Sequence, residues 1–224
     1  MSLAHAFARL STVTATAALL AACGGGGDDA AAALADRADS LEAPTAAATS
    51  IITLPPVREL EDGGTTTCAN GSIGAVMIDT VFVPDGTTCQ LEDTQLRGSI
   101  QVGSRATLLA NRVRVVGNLQ AEGSRLVRVY PGSRFGGSVQ VKQGRAMHVA
   151  GSRITGDLQV DAMTAAVSAR GNRLGGNLQA VSNTGGVTLV NNTMIGNLQC
   201  KQNVPAPTGS GNVAASKEGQ CRNL

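Results

Sequence analysis

Leu174-Gly175-Gly176-Asn177-Leu178-Gln179 is one copy of a phrase that recurs along most of the chain. The phrase reads apolar residue, any residue, Gly, a small polar residue, then Leu, Ile or Val, then Gln. Its glycines recur at a nearly constant interval, at Gly98, Gly117, Gly137, Gly156, Gly176 and Gly196. A fixed period of this length indicates a repeat architecture in which each unit stacks on the next.

Apolar residues around the phrase repeat in the same register. One column follows the Leu, Ile or Val by two residues, and a second segment of each repeat supplies another. The columns are Val102, Ala121, Val141, Val160, Ala180 and Cys200, and Leu108, Val127, Met147, Val167 and Val187. Apolar and polar residues alternate within each segment, which is the period of a strand with one buried face. Gly, Asn and Ser between the segments favour tight corners.

These patterns predict an all-β fold, a single-stranded right-handed parallel β-helix (a solenoid). We expect about seven coils of 19–20 residues, with three short strands per coil, from about residue 76 to residue 200. One coil cannot bury enough apolar surface to fold alone, so the coils must stack. The right hand is expected because parallel crossover connections are overwhelmingly right-handed. Aromatic residues make up 2% of the chain, so the core must consist of aliphatic side chains.

The segment 1–22 has the pattern of a secretory signal peptide, with an apolar run that is too short to span a bilayer. Leu20-Ala21-Ala22-Cys23 resembles the lipobox of bacterial lipoproteins, in which the cysteine is acylated and becomes the mature N-terminus. We therefore expect an exported protein with a lipid on Cys23. Gly24 after that cysteine resembles outer-membrane sorting and leaves the membrane face open. The alternative is ordinary secretion, with cleavage near Ala22 and no lipid.

Three further segments follow the signal peptide. Residues 23–65 are predicted to be a flexible, lipid-anchored linker, because they contain Pro, Ala, Thr and acidic residues without a sustained period. Residues 66–224 are predicted to form the β-helix domain. Within it, residues 201–224 are predicted to be a C-terminal cap, because the apolar columns stop after Cys200 and prolines appear.

Both ends of the repeat region resemble those of exported bacterial β-helix repeat proteins of uncharacterised function. The resemblance rests on Val81-Phe82-Val83-Pro84-Asp85-Gly86, on the repeated Gly-Asn-Leu-Gln, and on Lys217-Glu218-Gly219-Gln220-Cys221. It covers about residues 66–224. It implies the same architecture and an exported location, and it implies no activity.

Four cysteines remain beside Cys23, and they allow three pairings. The interval from Cys68 to Cys89 equals the interval from Cys200 to Cys221. This interval is close to one coil, and residues stacked on adjacent coils lie within disulfide range. We therefore predict one disulfide at each end of the solenoid. The alternative for Cys200 is a small, buried core residue without a bond.

No catalytic or metal-binding constellation is evident, so we expect no enzymatic activity, no metal and no cofactor. His148 lies between two inward residues and should point to solvent. Polysaccharide-cleaving enzymes need clustered carboxylates, and residues 97–180 contain only Glu122, Asp157 and Asp161. Asp157 occupies the small polar position of the repeat, which is a structural place. A carbohydrate-active β-helix enzyme is therefore the third of our hypotheses.

Two outward features repeat once per coil. Arginines lie three residues before the repeat glycine, at Arg114, Arg134, Arg153 and Arg173, and a looser row contains Arg105, Arg125 and Arg145. Residues 97–173 hold twelve Lys and Arg against three Asp and Glu. The glutamines of the phrase form another column, whose stacked amides favour a stabilising role over a binding face.

These observations support two leading hypotheses. The first is a non-enzymatic cell-envelope lipoprotein, tethered to the membrane, that presents a rigid β-helix for structure or surface contact. The second is binding of a polyanion through the stacked arginines, with solubilising edge arginines as the competing interpretation. The expected membrane location favours an acidic polysaccharide or lipopolysaccharide over nucleic acid. The oligomeric state stays open.

Overall fold

The structure is a computed structural model that describes residues 64–224. The predicted signal peptide, most of the predicted linker and Cys23 lie outside these residues. Strand β1 begins at Thr65, so the last residue that we assigned to the linker belongs to the solenoid. The described residues form 24 strands, numbered along the chain, and contain no helix.

The strands form three parallel sheets, because each strand up to β20 pairs with the third strand after it. At the end of the chain, β24 pairs with β22. Sheet A contains β1 (Thr65–Thr67), β4 (Thr80–Val83), β7 (Ile100–Val102), β10 (Leu119–Glu122), β13 (Val139–Lys142), β16 (Leu158–Asp161), β19 (Leu178–Val181), β22 (Leu198–Lys201) and β24 (Lys217–Gly219). Sheet B contains β2 (Gly71–Ile73), β5 (Thr88–Glu92), β8 (Thr107–Asn111), β11 (Leu126–Val129), β14 (Ala146–Ala150), β17 (Val167–Arg170), β20 (Val187–Val190) and β23 (Thr208–Ser210). Sheet C contains β3 (Met77–Ile78), β6 (Gln95–Leu96), β9 (Arg114–Val115), β12 (Arg134–Phe135), β15 (Arg153–Ile154), β18 (Arg173–Leu174) and β21 (Thr193–Met194).

This arrangement is a parallel β-solenoid with three strands per coil, and it confirms the predicted fold class. The repeat columns are register columns: Leu119, for example, pairs with Ile100 on one side and with Val139 on the other. The solenoid has about eight turns rather than seven, because β1–β3 form a first coil that begins at Thr65, ahead of the predicted start near residue 76. That coil lacks the phrase and is shorter, since Thr65 pairs with Thr80. The right hand stays a prediction.

One apolar core runs through all coils. It is built mainly from Val, Leu, Ile, Ala and Met, and it also contains the buried aromatic side chain of Phe135. The columns that we predicted to point inward are buried, among them Leu108, Val127 and Met147. A lone coil could not enclose these side chains, so the stack stabilises each coil through its neighbours.

Buried asparagines hydrogen-bond from coil to coil at the corners. The Asn172 Nδ2 donates to Asn192 Oδ1 (3.0 Å), and the Asn192 Nδ2 donates to Asn212 Oδ1 (2.9 Å). A second ladder runs from Asn183 to Asn203 and ends at Gln220, whose Oε1 accepts from Asn203. These bonds satisfy polar groups in the interior that would otherwise be costly to bury.

The strand ladder continues past Cys200, although the apolar columns stop there. Strand β23 pairs with β20 of sheet B, and β24 pairs with β22 of sheet A. The apolar columns stop because Gly209 is the register partner of Leu189, and Lys217 and Gly219 are the partners of Leu198 and Cys200. Residues 201–224 therefore contribute a further coil as well as an end to the stack.

Both predicted disulfides are present, Cys68–Cys89 and Cys200–Cys221, with Cα–Cα distances of 5.5 and 5.2 Å. The geometric reason that we gave is wrong, because the paired cysteines are not stacked in one column. Cys89 lies on sheet B and has Gly71 as its register partner, whereas Cys68 follows a strand of sheet A. The bond therefore links two sheets as well as two coils.

Candidate functional site

Sheet C carries one outward side chain per strand, because each strand has only two residues. In the middle of the sheet the outward residue is Arg and the inward residue is apolar, as in Arg134–Phe135. Arg114, Arg134, Arg153 and Arg173 are consecutive register partners, and all four are exposed. We call them the arginine row. Adjacent strands lie about 4.8 Å apart, so the row places one guanidinium per such interval.

The row has defined ends. Gln95 is the register partner of Arg114 on one side, and Thr193 is the partner of Arg173 on the other. Among the residues that the structure describes, the row arginines make no ion pair with a carboxylate. Four like charges therefore stand in single file without local neutralisation, which makes the row attractive to an anion.

The corner between sheets B and C lies beside the row. The corner residue is left-handed in coil after coil, and in the three coils of Arg134, Arg153 and Arg173 it is Gly132, Gly151 and Gly171. A backbone with positive φ favours glycine. Without side chains, these corners leave a groove of about 280 Å³, lined by the same three arginines. We call it the row groove.

Residues with polar side chains take the corner position in the coils on either side of the three glycines. At one end, Arg112 has the left-handed conformation and donates from Nε and Nη2 to the two oxygens of Asp93, each at 2.7 Å. This pairing holds the pKa of the Asp93 carboxyl below its usual value. At the other end the corner residue is Asn191, with a φ of 54°. Arg112 is therefore neutralised locally, in contrast to the row arginines.

The second, looser arginine row lies at the corner between sheets A and B. The register places Arg125 beside Arg145, whereas Arg105 is offset by one position and has a φ of 55°. The three arginines line a shallow depression of about 500 Å³ with Gly86 and Gly123. They do not form a single straight file.

Sequence reasoning missed two cations on the outward face of sheet B. Arg128 is the register partner of His148, and the Arg170 Nε donates to the hydroxyl of Ser168 on the same strand. The sequence could have indicated both cations, because Arg128 on β11 and Arg170 on β17 alternate with inward apolar residues along their strands. Partial burial lowers the pKa of His148, and the charges of Arg128 and Arg170 lower it further.

The glutamine column has two parts. The Gln179 Nε2 donates to Gln199 Oε1, and the Gln199 Nε2 donates to Glu218 Oε2, both at 3.1 Å. Gln101, Gln120 and Gln140 instead line a shallow depression of about 400 Å³ on sheet A. The amide ladder that we expected is therefore formed at the C-terminal end of the column.

The structure does not bring the candidate carboxylates together in a catalytic pair. The Asp157 Oδ1 accepts hydrogen bonds from the backbone N–H and the side chain of Asn177, within a polar corner ladder. Asp161 lies at the end of β16 with Lys142 as its register partner. Within residues 64–224, no three His, Cys, Asp or Glu side chains gather closely enough to hold a metal ion.

Disulfides persist in oxidising compartments, so Cys68–Cys89 and Cys200–Cys221 indicate an exported protein. None of the described residues forms a helix with the length and hydropathy needed to cross a membrane.

Comparison of the chain with protein families, with curated proteins and with solved structures finds no match.

Proposed function

We propose that this protein is a non-enzymatic lipoprotein of the bacterial cell envelope. A lipid on Cys23 holds it at the outer membrane, and the solenoid is presented for a structural role or for surface contact. The observation that carries this proposal is a single stack of about eight coils with a disulfide at each end. Such a stack is suited to a durable scaffold outside the cytoplasm.

The anchor is tested by detergent phase partitioning of the full chain. Wild-type protein should enter the detergent phase, and the Cys23→Ser variant should stay in the aqueous phase, because it has no site for the lipid. Metabolic labelling with a fatty acid should mark only the wild type. Equal partitioning of both proteins would reject the lipid anchor and favour ordinary secretion with cleavage near Ala22.

A second candidate function is the binding of an anionic polymer, an acidic polysaccharide or lipopolysaccharide. The arginine row favours it, because four exposed guanidinium groups stand in register without a carboxylate partner among residues 64–224. Guanidinium groups bind carboxylate and phosphate through two parallel hydrogen bonds. Stacked like charges repel one another, and a polyanion would relieve that repulsion.

The binding test uses the soluble Cys23→Ser chain and two double variants that each remove two positive charges. Arg134→Gln with Arg153→Gln removes the centre of the row, and we expect about tenfold weaker binding to polygalacturonate or lipopolysaccharide. Arg105→Gln with Arg125→Gln is the matched control and should change affinity by less than about threefold. Equal losses would show that net charge, rather than the row, determines binding.

A further inference from the structure

We propose that the arginine row, with the row groove beside Arg134, Arg153 and Arg173, binds a linear polyuronate, with the sugar chain parallel to the solenoid axis and four uronic acid residues opposite the four arginines. This inference deepens the second candidate function and depends on it. It specifies the polymer, its direction and the length of the site, which the presence of positive charge alone does not.

The width of the charged surface favours a linear polymer over a membrane. Each strand of sheet C has a single outward residue, so the row is one arginine wide. On one side of it lies the glycine corner, and on the other side the central coils carry Gly136, Thr155 and Gly175. A bilayer presents its headgroups over a plane, whereas this surface offers positive charge along a line.

The spacing of the charges favours a polysaccharide over nucleic acid. The row repeats with the interval between parallel strands, about 4.8 Å. A polyuronate carries one carboxylate per sugar ring, and each ring advances the chain by a similar length. Phosphates along one strand of duplex DNA repeat every ~3.4 Å and follow a helical path. The long arginine side chains can follow carboxylates that alternate around an extended sugar chain.

The ends of the arginine row set the length of the site. At one end, Gln95 replaces arginine in the register, and Arg112, in the coil of Arg114, is already neutralised by Asp93. At the other end, Asn191 takes the corner position and Thr193 replaces arginine in the register. The row groove therefore covers the three coils with a glycine corner, and the row extends one coil further, to Arg114.

The first test measures how affinity depends on ligand length. Oligogalacturonates of two, four and eight sugar units are titrated into the soluble Cys23→Ser chain, with a neutral malto-oligosaccharide as the control. Affinity should rise steeply up to four units and then increase by no more than about fivefold, because an eight-unit chain can place four of its units on the site in about five registers. A steady rise from four to eight units would overturn the proposed length.

The second test fills the groove without removing charge. Gly171 has a φ of +63° and no atom within 4 Å of an added Cβ, and Asn191 already takes the same corner one coil further on. Gly171→Asn should therefore fold, and it should weaken binding of the four-unit oligogalacturonate about tenfold. Gly86→Asn is the matched control, with a φ of +72°, equal space and a position beside the looser row. It should leave affinity unchanged.

The outcomes separate this inference from the function on which it depends. If the Arg134→Gln, Arg153→Gln variant loses binding while Gly171→Asn does not, the row binds polyanions but the groove is not the site. If Gly86→Asn weakens binding instead, the site lies on the looser row and the inference is overturned. If no uronate oligomer binds and lipopolysaccharide does, the polymer that we name is wrong.

Discussion

At the scale of single residues, the buried asparagine ladders connect coils that the apolar core alone would only pack together. Asn192 is fully buried, donates to Ala169 O and Asn212 Oδ1, and accepts from Asn172. Each polar group has a partner only because an asparagine recurs at this corner in successive coils. A change at one position therefore leaves groups unpaired in two neighbouring coils.

Asn192→Ala should lower the free energy of unfolding by about 3 kcal/mol, because several buried donors and acceptors lose their partners. Asn197→Ala is the control, since that half-buried residue donates to Glu218 at the end of an outward ladder and water can replace the bond. Its loss should cost less than about 1 kcal/mol. Denaturant unfolding measures both, and equal effects would contradict a special role for the buried ladder.

The pKa of His148 depends on the positive charges near it on sheet B. Its pKa lies below 6.5 because of burial first, and then because of Arg128 and Arg170. Arg128→Gln should raise the pKa of His148 in an NMR titration, and Arg134→Gln on sheet C should not. As the pH falls below about 6.5, the unfolded chain takes up this proton before the folded protein does, so folding stability should decline. An unchanged pKa in Arg128→Gln would show that the charge of Arg128 does not contribute to the lowering.

At the scale of the elements, the disulfides stabilise the end coils, which have a neighbour on one side only. In the chain-entropy model a bond that closes a loop of about one coil contributes about 3 kcal/mol. Replacing Cys68 and Cys89 with alanine should lower the free energy of unfolding by that amount and increase hydrogen exchange mainly in β1–β5. Peptide mapping without reduction should recover Cys68–Cys89 and Cys200–Cys221. A Cys68–Cys221 peptide would contradict the arrangement of the coils.

The repeated phrase could predict the sheets because its period equals the length of one coil. A given position of the repeat therefore points to the core, or to solvent, in every coil. Leu119, Gln120 and Ala121 thus occupy the buried and outward positions that alternation requires. The first coil could not be found in this way, because the register partners Thr65 and Thr80 are separated by less than the repeat period. The last coil was missed for another reason: Gly209, Lys217 and Gly219 take the places of apolar column residues, and an apolar pattern does not reveal them.

The candidate site, too, could be predicted only in part from the sequence. The arginine row follows from the period, since residues one coil apart become neighbours. The groove does not, because it depends on the left-handed corners at Gly132, Gly151 and Gly171, and the sequence offers many other glycines. Asp93 and Arg112 are also one repeat apart, so the same rule could have placed a carboxylate beside this arginine and separated it from those of the row.

At the scale of the whole molecule, the solenoid converts a sequence period into a surface with one charge per coil. The complete chain has a net charge of +2, yet residues 97–173 carry twelve basic residues against three acidic ones. The basic excess is therefore local to the middle coils. An anionic polymer that meets this protein would be attracted to that segment and positioned by the row.

The most direct test of this account is the salt dependence of polygalacturonate binding to the soluble Cys23→Ser chain. Each ion pair releases counterions, so the logarithm of the binding constant should fall linearly with the logarithm of salt concentration. For a linear polyanion held by four arginines we expect a slope of about −3, at about −0.7 per pair. Arg134→Gln with Arg153→Gln should halve that slope, and Arg105→Gln with Arg125→Gln should preserve it. Equal slopes for the three proteins would contradict binding through the arginine row.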